Sequence, residues 1–446
     1  MSDQHDAVRP PWSRSDRAIP RAVLRPLQEF LKTSASSASL LFGALVIALV
    51  WANVGGSYTS FWHTEASVHI GGVTIGHDLR FWVNDGLMTL FFLVVGIEIK
   101  RELTTGELRS PRAAALPAIA AIGGMVVPAA IFLVLAGGGE AQRGWGIPMA
   151  TDIALALGAL ALAARNAPTS LRPILLTLAI VDDIGAILVI AIFYSQGGSA
   201  VALLAALVLL GVIVACQRVH IRATIAYGAL GVGVWYCLYR AGVHPTIAGV
   251  VLGLMTPSEP FQRPAAVSEE ARRTAEETLD DPYPPDADAS SWLRLAWLSR
   301  EAVSPLARVE HALLPWSAFV IVPVFALANA GVRLSVDALQ GALTTGLGLG
   351  IIIGLVIGKP LGIALAGRLS AAVGAGQLPS DVAWRDIVGM GATAGIGFTV
   401  ALFVAELAFP DAPELLDEAK VAILVGSAVA GIAGQLVLRS RRIADA

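Results

Sequence analysis

The sequence predicts an all-α polytopic membrane protein of about 12 transmembrane helices, with inverted repeats, two broken and crossing helices and a small external β-hairpin. Three observations carry the membrane assignment. Charged residues fill only 15% of the 446 positions, well under the roughly 25% of soluble domains. Hydrophobic residues make up 55%, and mean hydropathy is +0.69. Uncharged apolar stretches of bilayer-spanning length recur from Leu40 nearly to the C-terminus. The net charge of −3 gives no global basic field for nucleic acid. The two cysteines, Cys216 and Cys237, are too few for a disulfide scaffold or a cysteine metal cluster.

Taken in order, the spans fall at about 37–55, 79–99, 112–136, 145–164, 171–194, 199–216, 223–240, 244–256, 310–332, 345–367, 387–409 and 417–438. The eighth is short. The division of the chain follows: an N-terminal extension over 1–36, membrane helices 1–8 over 37–256, an insert over 257–308, helices 9–12 over 309–438, and a tail over 439–446. Met1–Ser39 is polar and dotted with arginine, without the apolar core of a secretory signal. With the N-terminus inside, cytoplasmic segments hold 25 of the 31 Lys and Arg and the opposite side five. That bias places both termini in the cytoplasm. Lys420 is counted on the external side.

Two segments stand outside the membrane. Val68-His-Ile-Gly71-Gly72-Val-Thr-Ile75 reads as a hairpin around Gly-Gly, over about 66–76. A lone hairpin is marginal in water, so it needs something to pair with. In the insert, Ser268–Glu277 reads as a short charged helix followed by a proline-rich loop at 280–286. Trp292, Leu293, Leu295, Trp297 and Leu298 then form an apolar face, which suits an interfacial helix.

Ionisable groups buried in a bilayer are costly and mark function. Asp182 and Asp183 sit about ten residues from either end of the fifth span, Asp152 lies in the fourth, and Lys359 is about nine residues inside the tenth. At 1.5 Å per residue, nine residues put Lys359 roughly 13 Å deep, too far to snorkel easily. Adjacent aspartates on a helix point about 100° apart and can share one cavity. Two neighbouring carboxylates in low dielectric cannot both ionise cheaply, so the pair titrates as a unit. Such oxygens bind protons or a small hard cation, and the two compete. Backbone interruptions mark the same depth: Gly144-Trp-Gly146-Ile-Pro148 opens the fourth span, and Gly389, Gly391, Gly395 and Gly397 punctuate the eleventh. If spans 3–5 and 10–12 correspond, each break falls in a middle helix, the mark of an inverted-repeat architecture with opposed half-helix ends.

Four stretches together resemble the bacterial sodium/proton antiporter A (NhaA) family. They are Val-Asn84-Asp85-Gly through Glu98-Ile-Lys100-Arg101-Glu102-Leu, Ala-Thr151-Asp152-Ile-Ala-Leu, Val-Asp182-Asp183-Ile-Gly and Gly358-Lys359-Pro360-Leu-Gly362. Gly-Val-His244-Pro and Gly395-Ile-Gly397-Phe-Thr399 add support. The resemblance covers about 37–257 and 308–438. It implies electrogenic exchange of two external protons for one cytoplasmic Na+ or Li+, with no cofactor. By it, Asp183 is the principal cation ligand and proton carrier, and Asp182 its partner. Asp152 and Thr151 lie at the crossing, where Asp152 balances positive half-helix ends. Lys359 balances the negative ends and pairs with the aspartates. Glu98, Arg101, Glu102, Glu310 and His311 tune activity to pH, and His244 is either pH-responsive or a satisfied interfacial histidine. Asn84, Asp85, Gly395 and Gly397 support the site. The hairpin would join a homodimer in the bacterial inner membrane. The extension and the insert depart from the family's pattern, and the insert abuts Glu310.

Other readings of the same residues are a sodium-coupled solute symporter of similar architecture and an intramembrane enzyme using paired aspartates. The chain has no Gly-x-Gly-Asp for an intramembrane protease. Asp182-Asp183 also lacks the further downstream aspartate of a metal–pyrophosphate site. A Schiff base on Lys359 is poorly served by the neighbouring proline.

Overall fold

A computed structural model describes residues 34–70, 73–163, 168–195, 197–221, 223–280 and 287–440. The extension up to residue 33, Gly71-Gly72, the 281–286 stretch and the tail from 441 lie outside the described residues. Helix α1 (Ser34–Asn53) is followed by the short α2 (Ser57–Trp62). The hairpin then forms from β1 (Glu65–Ile70) and β2 (Val73–Asp78), antiparallel with Ile70 opposite Val73. Asp78 caps α3 (Leu79–Thr104) by accepting from Phe81 N at 2.8 Å. Helix α4 (Pro111–Leu135) leads to a 3₁₀ segment, Gly139–Met149, then α5 (Ile153–Ala163) and α6 (Leu171–Phe193). Helices α7 (Ala200–Arg218), α8 (Thr224–Arg240) and α9 (Thr246–Met255) complete the first half.

The insert folds as α10 (Pro264–Asp280) and α11 (Ala287–Glu301). Both helices read from the sequence are present and extend a few residues further. On α10, Arg272 donates to Glu269 and to Glu276, each at 2.5 Å, and holds the Glu269 carboxyl below the usual range. Then come α12 (Pro305–Asn329), α13 (Val336–Thr344), α14 (Gly346–Ala372), α15 (Trp384–Ala394), α16 (Phe398–Ala408) and α17 (Pro413–Arg439).

Among the described residues, eight helices are long and apolar enough to cross a bilayer, and ten spans result if each of two bent pairs counts as one. The bends are 51° between Gly139–Met149 and α5, and 49° between α15 and α16. With the shorter α8 and α9, the helices match the twelve sequence spans one to one. Val134 (81% exposed) and Ile225 (88%) would be costly in water, but they suit a hydrocarbon solvent.

The six spans of the two triplets pack together: α14 lies along α4, α15 along α17, and α16 against the 3₁₀ segment. Gly123 of α4 and Gly362 of α14 face each other so closely that a Cβ on either would overlap the other's carbonyl. Small residues there let two backbones approach, the usual currency of helix association in lipid. The remaining spans, α1, α3, α7, α8, α9 and α12, form a second group. The groups meet along α1 and α5, α3 and α6, and α12 and α16.

The hairpin is anchored within its own chain. His77 Nε2 and Tyr239 Oη lie 2.6 Å apart, and Trp82 Nε1 donates to Ala66 O at 2.8 Å. Lys420, counted from the sequence on the external side, is 1% exposed inside α17 and bound to Glu406 of α16 at 2.7 Å. A charge four residues inside a span reads as a span-end charge until the neighbouring helix supplies a buried partner.

Candidate ion-exchange site at the helix crossing

The site is built where the two bends cross. Asp152 N donates to Ile396 O at 2.7 Å, and Thr151 Oγ1 donates to Ala394 O at 2.9 Å. Gly397 lies so near Ala150 that an added Cβ would stand 3.0 Å from its carbonyl oxygen. Pro148 cannot donate to a helix ladder, and the glycines of 389–397 weaken theirs, so both chains break at this depth.

A broken helix leaves partial charges at its cut ends. Asp152 is 3% exposed and serves two positive ends at once. Its Oδ1 accepts from Leu155 N at 3.0 Å, in the first turn of α5. Its Oδ2 accepts from Thr399 Oγ1 at 2.7 Å and Thr399 N at 3.3 Å, in the first turn of α16. The negative ends are served by donors: Lys359 Nζ donates to Met149 O, and Thr151 to Ala394 O.

Lys359 projects from α14 directly after a widened π turn, Gly354–Gly358. Pro360 has no N–H for the carbonyl four residues back, which favours opening the ladder there. The ammonium is fully buried and also donates to Asp182 Oδ2 at 2.7 Å. Asp182 and Asp183 lie mid-way along α6, at 1% and 7% exposure. Asp182 Oδ1 is buried without a hydrogen bond among the described residues. Asp183 makes no hydrogen bond or ion pair among them either. Adjacent positions diverge by about 100° around the helix, so one lysine engages one of the two carboxylates and leaves its neighbour open.

Between the ends of α3, α4 and α6 on the insert side of the molecule, a cavity of about 760 Å³ is lined by Glu102, Glu107, Arg109, Pro173 and Thr177, among others. Thr177 is six residues before Asp183 on α6, a rise of roughly 9 Å along the helix between the cavity wall and the aspartate pair.

The other sequence candidates divide. Arg101 Nη1 binds Glu310 Oε1, joining α3 to α12, and Arg101 Nη2 is 3.7 Å from Glu102 Oε1. Glu102 Oε2 accepts from Glu107 N at 3.0 Å, and Glu98 lies in the field of Arg101, Glu310 and Glu102. His311, by contrast, is exposed. His244 Nδ1 stands 3.7 Å from Asp85 Oδ1 without a hydrogen bond. The side-chain amides of Asn84 and Asn329 of α12 exchange two hydrogen bonds, Asn84 donating at 3.2 Å and Asn329 at 2.7 Å. Gly395 packs so tightly that a Cβ would overlap Leu355 O.

Asn329 and the Glu406–Lys420 pair are absent from the sequence reading, and Thr399 appears there only within a motif. Each had a signal: a hydroxyl directly after a break, a lone amide in an apolar span, and opposite charges near the ends of two successive spans.

Among the described residues no group of three or more His, Cys, Asp or Glu is gathered as a metal cluster. The family profile described as Na+/H+ antiporter 1 matches residues 28–438. A relative from Sorangium cellulosum named Na(+)/H(+) antiporter NhaA 2 is 45% identical, over 98% of this chain and 95% of its own length. Relatives named Na(+)/H(+) antiporter NhaA, from Anaeromyxobacter sp. and Oleidesulfovibrio alaskensis, are each 45% identical over 94% of this chain, covering 92% and 94% of their own lengths. The chain therefore belongs to the Na+/H+ antiporter 1 family, and it is a secondary transporter that exchanges sodium ions for protons rather than an enzyme.

Proposed function

We propose that the exchange is electrogenic, about two protons per Na+ or Li+, and that Asp183 is the carboxylate on which proton and cation alternate. The carrying observation is the asymmetry of the pair: Lys359 is ion-paired and hydrogen-bonded to Asp182, whereas Asp183 makes no hydrogen bond or ion pair among the described residues and only feels the field of its neighbours. A carboxylate without a fixed partner can accept a proton or a small hard cation at little structural cost. Asp182 and Lys359 hold the compensating charge next to it, and Asp152 and Thr151 keep the crossing together. The cavity beside Thr177 is the cytoplasmic approach, so the insert side, with both termini, faces the cytoplasm across the bacterial inner membrane. Moving one net charge per cycle couples exchange to membrane potential by ~2.3 kcal/mol per 100 mV.

Glu98, Arg101, Glu102, Glu310 and His311 set the pH range, with Arg101–Glu310 as the joint between α3 and α12. His244 against Asp85 is a second pH-responsive contact, and Asn84, Gly395 and Gly397 hold its surroundings. The hairpin carries an exposed Val68 at 41% and would pair with a second copy to form a homodimer.

The test is dye-monitored proton movement in inside-out vesicles on addition of Na+, Li+ or K+. Asp183→Asn abolishes the response, whereas retention of a wild-type response removes Asp183 from the site. Because both ligands use one carboxylate, the apparent KM for Na+ rises as pH falls. A pH-independent KM overturns the shared site.

A further inference from the structure

A second buried ion cluster lies on the hairpin side, on the helix that carries Thr399. Along α16, Thr399, Phe403 and Glu406 are spaced four and seven apart, so they share one stripe of the helix. Thr399 holds Asp152 at the crossing. Phe403, 1% exposed, packs across the seam between the two helix groups, with ring centroids 5.4 Å from Phe92 of α3 and 6.1 Å from Phe325 of α12. Glu406 binds Lys420 at 2.7 Å, with side-chain exposures of 12% and 2%.

A third charge comes from the opposite group. Arg80, in the first turn of α3, donates to Ala328 O at 3.2 Å, and its Nε is buried without a hydrogen bond among the described residues. Its guanidinium acts electrostatically on Glu406 and Asp417 across the seam and on Tyr58 beside it. Asp78, bound to His63 at 2.7 Å, and Arg333 border the same field. Burying an ion pair seldom adds stability over an apolar replacement, so its presence points to a state-specific use. Where α3 and α9 meet α6, the gap lined by Phe92, Ile187, Ile190, Thr246, Ile247 and Val250 has no room for water. On the insert side the cavity is open.

We infer that Glu406, Lys420 and Arg80, with Phe403 beneath them, form a latch that closes the external path to Asp183. The latch rests on the orientation and site proposed above. Parting the seam strips Arg80 of the field of Glu406 and Asp417 and unpacks Phe403. The latch thereby favours the inward-facing state, and its charges are positioning residues for exchange.

Labelling of a reporter cysteine tests this. Ile190→Cys, in a chain with Cys216→Ser and Cys237→Ser, places a thiol seven residues beyond Asp183 toward the hairpin. A membrane-impermeant maleimide is applied from the hairpin side in right-side-out vesicles. Labelling of the reporter alone is slow. Glu406→Gln and Arg80→Gln each raise its rate roughly fivefold, the population shift expected of one partly screened charge contact. The two combined add little beyond either, because they break one interaction. Unchanged rates, or two independent additive gains, overturn the latch. If Glu406→Gln does not fold, the labelling rate of Arg80→Gln alone decides: a fivefold rise supports the latch and an unchanged rate overturns it. The Asp183→Asn variant is labelled in parallel and keeps the slow rate. Retained exchange in that variant would remove the site and leave the labelling result standing on its own.

Discussion

Lys359 Nζ lies 2.7 Å from Asp182 Oδ2 with both side chains buried, at 0% and 1% exposure. Breaking a buried pair by removing one member costs ~3–5 kcal/mol, whereas removing both is nearly neutral. Lys359→Met therefore lowers stability by about 3 kcal/mol. Adding Asp182→Asn restores most of it. Thermal unfolding in detergent reads both changes, and equal melting temperatures for the single and double variants would show that the two groups are not coupled.

Asp152 holds the first turns of α5 and α16 with one carboxylate. Thr399→Val keeps the side-chain shape and removes one charge-assisted hydrogen bond, worth about 1.5–3 kcal/mol. Asp152→Asn keeps the shape and removes the negative charge facing two half-helix ends, at a further cost of up to ~2 kcal/mol in a buried setting. Both variants melt earlier than the parent. In vesicles, Asp152→Asn slows exchange more than Thr399→Val, and the reverse order would move the charge compensation elsewhere.

Close approach of backbones at the crossing makes two glycines sensitive to a methyl group. At Gly397 a Cβ meets Ala150 O at 3.0 Å, a contact that a small shift can relieve. At Gly395 the overlap with Leu355 O is too deep for that. Gly395→Ala is the more damaging of the two, losing about 1–3 kcal/mol as expected for overpacking. Parallel unfolding curves check the ranking.

The Arg101–Glu310 pair ties α3 to α12 at the insert end. Glu310→Gln and Arg101→Gln each displace the pH profile of vesicle exchange by about 0.5–1 unit, the scale of one lost charge contact. The combined variant moves it no further. His311 is exposed, so His311→Ala shifts the profile less. A larger shift from His311→Ala than from Glu310→Gln would transfer the sensing role to the histidine.

Alkaline stability has a separate origin at Tyr58. Burial first, against the opposing field of Arg80, pushes its phenol up to about 12. The hydroxyl donates to Leu327 O at 2.8 Å and accepts from Gly331 N at 3.1 Å. Folding thus favours the neutral phenol. This contribution is complete below the unfolded value near 10 and is lost as pH rises through 12. Tyr58→Phe is less stable than the parent at pH 9, and the gap narrows by no more than roughly 2 kcal/mol between pH 10 and 12. A gap that widens over that range would contradict the assignment.

Span positions, the two breaks, the hairpin and the midplane charges were legible in the sequence because each depends on local chain properties. Hydrocarbon demands about 20 apolar residues per helix, Pro and clustered Gly disrupt the ladder wherever they stand, and a charge nine residues inside a span cannot reach water. The insert's two helices were legible by the same local reasoning. Thr399, Asn329 and Glu406 were harder to see, since a single polar residue in an apolar run takes its meaning from the helix opposite. Lys420 belongs with them: near a span end it reads as an orientation signal until Glu406 is brought to it.

Local chain chemistry is thus enough to call for about twelve membrane spans with three aspartates and one lysine at mid-depth. Which aspartate the lysine holds is a matter of how the helices pack. Asp182 and Asp183 are the same residue type at neighbouring positions, and no local rule separates them. The packing of α14 along α4 brings Lys359 to one side of α6. The roughly 100° between successive side chains then gives Asp182 the lysine and leaves Asp183 open.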